Sequence, residues 1–120
     1  MDWDLGRFLG EIPQVAHTYG FVGGAHYGGV NEHQVGVGET TFGGRPELQH
    51  QPQARLDYAT LMQLALQRAA TAREAIDVMT SLVAAHGYAS EGESFTQAQS
   101  AIKLCAATCT YEHALSLIHI

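Results

Sequence analysis

The chain has 120 residues and a formal net charge of -6, with 46% hydrophobic and 15% charged residues. These values are typical of a single globular domain with a modest core. The six lysines and arginines are scattered, which argues against binding to nucleic acid or to an anionic membrane surface. No apolar run approaches the ~20 residues of a membrane span, and the start "MDWDLGRFLG" lacks the basic segment of a signal peptide. The sequence does not determine the cellular compartment, and the cytoplasm is slightly favoured.

The first third of the chain predicts strands joined by tight turns. Most of the 13 glycines lie in this part, and "QVAHTYGFV" (14–22) is rich in residues that favour strands. The sequence then predicts a reversal at Gly23-Gly24 and two further strands, so that strands cover about 14–42.

Two helices are predicted after a polar loop, one over about 57–70 and one over about 71–86. Apolar residues recur at helical spacing in both segments. The order of elements is therefore antiparallel strands followed by a helical pair that lies on the sheet, an α+β fold. The signals for the helix ends are Asp57 as N-cap, the Thr71–Glu74 capping box and Gly87 as the stop.

The last quarter of the chain departs from this pattern. No clear period or cap is present after Phe95. The final "LSLIHI" is the translation of CTG TCT CTT ATA CAC ATC, the mosaic-end sequence of transposase-based sequencing libraries. We therefore expect 115–120 to derive from an adapter and 96–114 to be frameshifted, which makes 96–120 a non-native tail. A native apolar strand is the alternative.

The segment "GGVNEHQVGVGETTF" (29–43) holds the strongest candidate for chemistry. Val35 and Val37 alternate with glycines, which either leave the other face open or allow a second layer to pack closely. Before them stands Asn31, whose uncharged amide donates N–H bonds. From spacing alone, Asn31 is either a turn former or a donor to the oxyanion of an acyl-transfer reaction.

Other chemistries find weaker support in the sequence. His17, His26 and His33 could bind zinc together with Glu32 or Glu39, but no H-E-x-x-H or H-x-H pair places two ligands on one face. Glu32 and Glu39 could act as paired acid and base, but nothing in the sequence brings them together. No phosphate-binding loop ending in Gly-Lys-Ser/Thr and no G-x-S-x-G elbow is present. The C-x3-C pair formed by Cys105 and Cys109 makes neither a disulfide framework nor a four-ligand zinc site.

Taken in order, four segments resemble peptidase family C69, the dipeptidases among the cysteine-dependent N-terminal-nucleophile hydrolases. These segments are "GEIPQVAHTYGF", "GGVNEHQVGVGETTFGGRPEL", "LDYATLMQLALQRAATAREAI" and "GYASEGESF". The resemblance extends from about Phe8 to Phe95, so residues 1–95 are interpreted as part of a C69 domain. It implies a four-layer αββα sandwich that cleaves dipeptides with no metal and no cofactor. It also implies that an N-terminal cysteine is the nucleophile and that its α-amino group is the base.

The resemblance also suggests a role for one residue of this chain. Asn31 is similar to the Asn of the "NE" motif in the related choloylglycine hydrolases, where it contributes to the oxyanion hole. No cysteine follows Met1, so we expect the nucleophile to lie outside this chain and the fragment to be inactive. Two other interpretations stay open: an amidase of the same superfamily that acts on non-peptide amides, and a small non-enzymatic α+β binding domain. The sequence does not indicate the oligomeric state.

Overall fold

The computed structural model describes residues 6–24, 27–49, 51–99, 103–109 and 116–119. These residues form an α+β structure with one antiparallel sheet and two α-helices. A short 3₁₀ helix, Pro46–Leu48, lies in the loop before the first α-helix. The strands and α-helices in chain order are β1 (Phe21–Gly24), β2 (Gly28–Asn31), β3 (Val35–Gly43), α1 (Tyr58–Arg68), α2 (Ala72–His86), β4 (Gly92–Gln99), β5 (Lys103–Cys109) and β6 (Ser116–His119).

The order of the strands in the sheet follows their order in the chain, β1-β2-β3-β4-β5-β6. The helical pair is inserted between β3 and β4, the two central strands. Their pairing runs from Val35 opposite Gln99 to Gly43 opposite Gly92, and a bulge interrupts it between Thr41 and Gly43. Because side chains alternate along a strand, each strand presents one set of residues to the helices and the other set to the opposite face.

The helices cover one face of the sheet and bury the core against it. α1 packs on β2 and β3, while α2 packs on β3, β4 and β5. From the sheet, Val35, Val37 and Phe95 point into this layer and are buried. The rest of the core cluster comes from the helices and their flanks: Leu56, Leu61, Met62, Leu64, Ala65, Leu66, Ala69, Ala75, Met79, Val83 and Tyr88.

The predicted helices of about 57–70 and 71–86 correspond to α1 and α2, and their ends follow the capping signals. Asp57 accepts a hydrogen bond from the Thr60 amide at 2.8 Å. The Thr71 hydroxyl accepts from the Glu74 amide at 3.1 Å, and the Glu74 carboxylate accepts from the Ala70 amide at 2.8 Å. These bonds satisfy amides that have no partner within a helix. At the far end of α2, Gly87 adopts a φ of 73°, which glycine tolerates without strain.

The strand predicted over 14–22 begins only at Phe21. Before it, Pro13 and Tyr19 hydrogen-bond to the end of α1: the Tyr19 amide donates to the Gln67 carbonyl at 2.8 Å, and Arg68 donates to the Pro13 carbonyl at 3.0 Å. Strand-favouring composition is overridden here by a tertiary contact.

The reversal predicted at Gly23-Gly24 is also displaced. Both glycines belong to β1, where Gly23 pairs with Gly29 and Gly24 pairs with Gly28. A Cβ atom at Gly23 would overlap the Gly28 carbonyl oxygen of the neighbouring strand. These glycines therefore permit close approach of β1 and β2, and the chain reverses after them.

The segment expected to be a non-native tail contributes to the sheet. β4 continues past Phe95 to Gln99, and the backbones of β5 and β6 extend the sheet beyond it. The hypothesis that residues 96–120 are frameshifted and adapter-derived stays a prediction, because strand geometry does not report the origin of the sequence.

Candidate functional site

Asn31 lies at the end of β2 with its side chain buried beneath the helices, at 4% exposure. Its Nδ2 donates to the Leu66 carbonyl at 2.8 Å and to the Ala69 carbonyl at 2.7 Å. Both carbonyls belong to the end of α1, where helical carbonyls have no partner within the helix. Asn31 therefore caps the C-terminus of α1 from the sheet.

The amide oxygen of Asn31 organises the turn between β2 and β3. It accepts hydrogen bonds from the His33 and Val35 amides, each at 3.0 Å. The Gln34 amide donates to the Asn31 carbonyl at 2.9 Å, and Gln34 adopts the left-handed φ of 60°. These are the contacts of a turn former. Both N–H bonds of the side chain are donated to α1, so donation to an oxyanion would require release of a helix carbonyl. The oxyanion role of Asn31 stays a prediction.

Glu32 ties the segment before β1 to the same turn. Its Oε1 accepts from the Gly20 amide at 2.9 Å, and its own amide donates to the Gly20 carbonyl at 2.9 Å. Glu32 and Asn31 also line a depression of about 290 Å³ with Phe21, Val22 and Val30. Glu32 is thus committed to backbone contacts at the edge of the sheet and does not lie next to Glu39.

Two of the candidate zinc ligands pack against an aromatic ring. Tyr19 lies between His17 and His33, with edge-to-face ring centroids 5.5 and 4.3 Å away respectively. His26 lies outside the described residues. Within the described ranges, no group of three or more His, Cys, Asp or Glu side chains could hold a metal ion.

Glu39 meets a partner that the sequence did not indicate. The Thr41 hydroxyl lies 2.9 Å from Glu93 Oε1 and 3.4 Å from Glu39 Oε2, so the three side chains form a cluster between β3 and β4. Glu93 is 2% exposed, and its pKa is raised to about 8, chiefly by burial and then by the neighbouring carboxyl group of Glu39. The signal for Glu93 was its place on the same strand face as Phe95 and Gln97 in "GESFTQ". A carboxylate on a buried face requires a partner.

On the face of the sheet opposite the helices, the described residues form a groove that is lined largely by glycine. Gly28, Gly29, Gly36 and Gly38 line this groove of about 390 Å³, together with Tyr27, Val30, Val37, Thr96 and Ala98. Among the described residues, no atom lies within 4 Å of a Cβ atom added at Gly38, so this part of the surface has room for another layer or a ligand. Of the two interpretations of these glycines, an open face and close packing of a second layer, the open face agrees with this part of the sheet.

The sequence of this region matches a known family. The profile of peptidase family C69 matches residues 11–101. The chain belongs to peptidase family C69. No curated protein and no solved structure matches the chain. The C69 match contains Asn31, Glu32 and the Glu39–Glu93 cluster, and it ends after β4.

Membership of family C69 associates the chain with peptidases and peptide substrates. Neither α1 nor α2, the helices of the described part of the chain, combines the length and the apolar character of a membrane span. The family match extends six positions beyond the limit expected from the motifs, which ended at Phe95. The strand containing Phe95 extends to Gln99, so most of these positions continue one element.

Proposed function

We propose that this chain is part of a cysteine-type dipeptidase, and the observation that carries the proposal is the C69 match over residues 11–101. The substrate is a dipeptide, and the nucleophile is an N-terminal cysteine that lies outside this chain. The reaction uses no metal and no cofactor. Within this proposal, residues 1–95 form part of the catalytic domain and residues 96–120 are a non-native tail, although the family match also includes 96–101.

The proposed reaction proceeds through an acyl-enzyme. The cysteine thiolate attacks the carbonyl carbon of the dipeptide, and the α-amino group of the same cysteine takes up the thiol proton. The tetrahedral intermediate collapses, the leaving amine takes a proton, and a thioester remains. Water then attacks the thioester and releases the second amino acid, which restores the thiol.

The proposed architecture is the four-layer αββα sandwich of N-terminal-nucleophile hydrolases. Two features of the described residues support it: the helical pair covers one sheet face, and the opposite face is lined by glycines and small residues. A sheet that presents small, uncharged side chains on its second face is suited to burial on both sides. The second sheet and second helical layer would come from sequence outside this chain.

The test is an assay of the complete protein encoded by the source gene, with its native N-terminus. We expect dipeptide hydrolysis that is abolished by Cys→Ala at that N-terminus and by a thiol-alkylating reagent, and that is unaffected by a chelator. A panel of acylated amino acids and bile-salt-like amides distinguishes a dipeptidase from an amidase. Chelator-sensitive turnover, or turnover that survives the Cys→Ala change, would overturn the mechanism.

Asn31 has two candidate roles within the proposal. If Asn31 donates to the oxyanion, Asn31→Ala in the complete enzyme lowers kcat by about 10²–10³. If Asn31 only caps α1, the same variant loses stability but keeps its kcat when assayed at a temperature where it is folded. The hydrogen bonds to Leu66 and Ala69 favour the second outcome.

A further inference from the structure

The cluster of Glu39, Thr41 and Glu93 contains more acceptors than protons. The Thr41 hydroxyl has a single proton, and its oxygen lies closer to Glu93 Oε1, at 2.9 Å, than to Glu39 Oε2, at 3.4 Å. The other oxygen of Glu93, Oε2, is buried and has no hydrogen-bond partner among the described residues when both carboxyl groups are ionised. An ionised carboxylate without a partner is costly in such a site.

Among the residues that the structure describes, no positively charged side chain acts on Glu93. The charged groups that act on it are Glu39 and Glu91, both acidic. On α2, which packs over this part of the sheet, Arg73, Glu74 and Asp77 are exposed. On the other side, β5 places Cys109 in register with Glu93. A proton is therefore the simplest means of neutralising the site.

We propose that Glu93 and Glu39 share one proton across β3 and β4 and act as a pH-sensitive latch between the two central strands. Buried Glu93 holds the proton and donates it through Oε2 to half-buried Glu39, while Thr41 donates to Oε1 of Glu93. All three side chains then have partners. The latch lies beside the bulge between Thr41 and Gly43, where the regular backbone pairing of the strands is interrupted.

The protonation of Glu93 determines the direction of the pH effect. Burial, and then the hydrogen bond with Glu39, raise the pKa of Glu93 from 4.5 to about 8, while Thr41 lowers it. The folded chain therefore retains a proton that the unfolded chain releases. The stabilising contribution is fully present below pH 4.5, decreases as the pH rises between these two values, and is lost above about pH 8.

The first test compares the unfolding of the full chain with that of Glu93→Gln at several pH values between 5 and 8. Glutamine keeps a donor towards Glu39 and an acceptor towards Thr41 but does not titrate. We expect the unfolding equilibrium constant of the unaltered chain, relative to that of Glu93→Gln, to rise about tenfold per pH unit, as linkage of one proton requires. Glu91→Gln is the matched control, since Glu91 is exposed and adjacent, and it should retain the slope of the unaltered chain.

The second test measures the carboxyl carbon of Glu93 by NMR in the ¹³C-labelled full chain, with the signal assigned by its loss in Glu93→Gln. We expect it to titrate near pH 8. Any of three results would overturn the latch. The unaltered chain and Glu93→Gln could show the same dependence of unfolding on pH, Glu91→Gln could reduce that dependence as much as Glu93→Gln does, or the carboxyl carbon of Glu93 could titrate near pH 4.5. None of these readouts depends on peptidase activity, so failure of the latch and failure of the proposed function are distinguishable.

Discussion

The buried side-chain amide of Asn31 donates two hydrogen bonds and accepts two, and so connects two parts of the fold. Its donors hold the end of α1, and its oxygen holds the turn between β2 and β3. The helix therefore ends at the position where the strand turns. Spacing within the sequence identified Asn31 as a turn residue, but not its partners Leu66 and Ala69, because those contacts depend on where the helix packs.

Replacement of Asn31 should destabilise the chain strongly. Asn31→Ala leaves two helix carbonyls and two turn amides without their partners, and we expect a loss of about 2–4 kcal/mol in the free energy of unfolding. Asn31→Asp keeps the acceptor, removes both donors and places a negative charge against helix carbonyls, so it should be at least as harmful. Urea unfolding at neutral pH measures both effects.

Glu32→Ala is the control for Asn31. It removes one hydrogen bond to the exposed Gly20 amide, so we expect a loss below about 1 kcal/mol. If Asn31→Ala and Glu32→Ala had equal effects, the cap on α1 would contribute little to stability.

At the scale of single elements, the glycines of β2 and β3 differ in whether their surroundings leave space for a side chain. Gly28 has a φ of 89°, and a Cβ atom there would overlap the Val37 carbonyl oxygen. Gly38, on the neighbouring strand, has no atom within 4 Å of the position of an added Cβ. The pattern of the sequence does not distinguish the two, since both are glycines in a strand, but their surroundings do.

Gly28→Ala and Gly38→Ala form a matched pair. The first combines a strained φ with a backbone overlap, so we expect a loss of about 3 kcal/mol or more in unfolding free energy. The second should change stability by less than about 1 kcal/mol, because strand residues other than glycine adopt its conformation freely. Thermal unfolding of the two variants side by side provides the comparison, and similar melting temperatures would contradict it.

Comparison of the helices with the segment before β1 shows why some elements can be predicted from sequence and others cannot. Asp57, Thr71, Glu74 and Gly87 act locally, within four residues of the amides or carbonyls they satisfy, so their positions follow from sequence alone. The segment 14–20 has strand-like composition, but no described strand pairs with it; Tyr19 bonds to the end of α1 and Gly20 bonds to Glu32 in the turn after β2. Pairing depends on a partner that local composition does not reveal.

At the scale of the whole molecule, the helices α1 and α2 cover one face of the sheet, and within the described ranges no other element covers the opposite face. On the open face, Val22 is 78% and Val30 is 47% exposed, and the two residues are paired across β1 and β2. An apolar surface of this kind on a sheet usually marks an interface or promotes association. Within the proposed αββα sandwich, the same surface would be buried.

We expect the 120-residue chain to self-associate through this face. Val22→Lys combined with Val30→Lys should increase the monomer fraction in sedimentation velocity and lower the fluorescence of an apolar dye. Val15→Lys is the control, because Val15 is also exposed, at 38%, but lies outside the sheet. If Val15→Lys increased the monomer fraction equally, the effect of the lysines would come from their charge and not from the loss of this apolar surface.

The family was predicted from four motifs that follow one another between about Phe8 and Phe95, and the match to residues 11–101 confirms it. The oxyanion role of Asn31 stays a prediction. The Glu39–Glu93 cluster was not predicted, because the two carboxyl groups are separated by the entire helical pair and meet only through the register of β3 and β4. The sequence instead suggested Glu32 as the second carboxylate, which the turn holds against Gly20.

That insertion of α1 and α2 between the central strands has a kinetic consequence. Strand order follows chain order, so every neighbouring pair of strands forms by local contact except β3 and β4, which must bring residue 35 to residue 99. Closing that loop costs more chain entropy than any other pairing in the sheet. We therefore expect the pairing of β3 with β4 to be the slow step of folding, so that changes at the β3–β4 seam alter the folding rate more than changes elsewhere in the sheet.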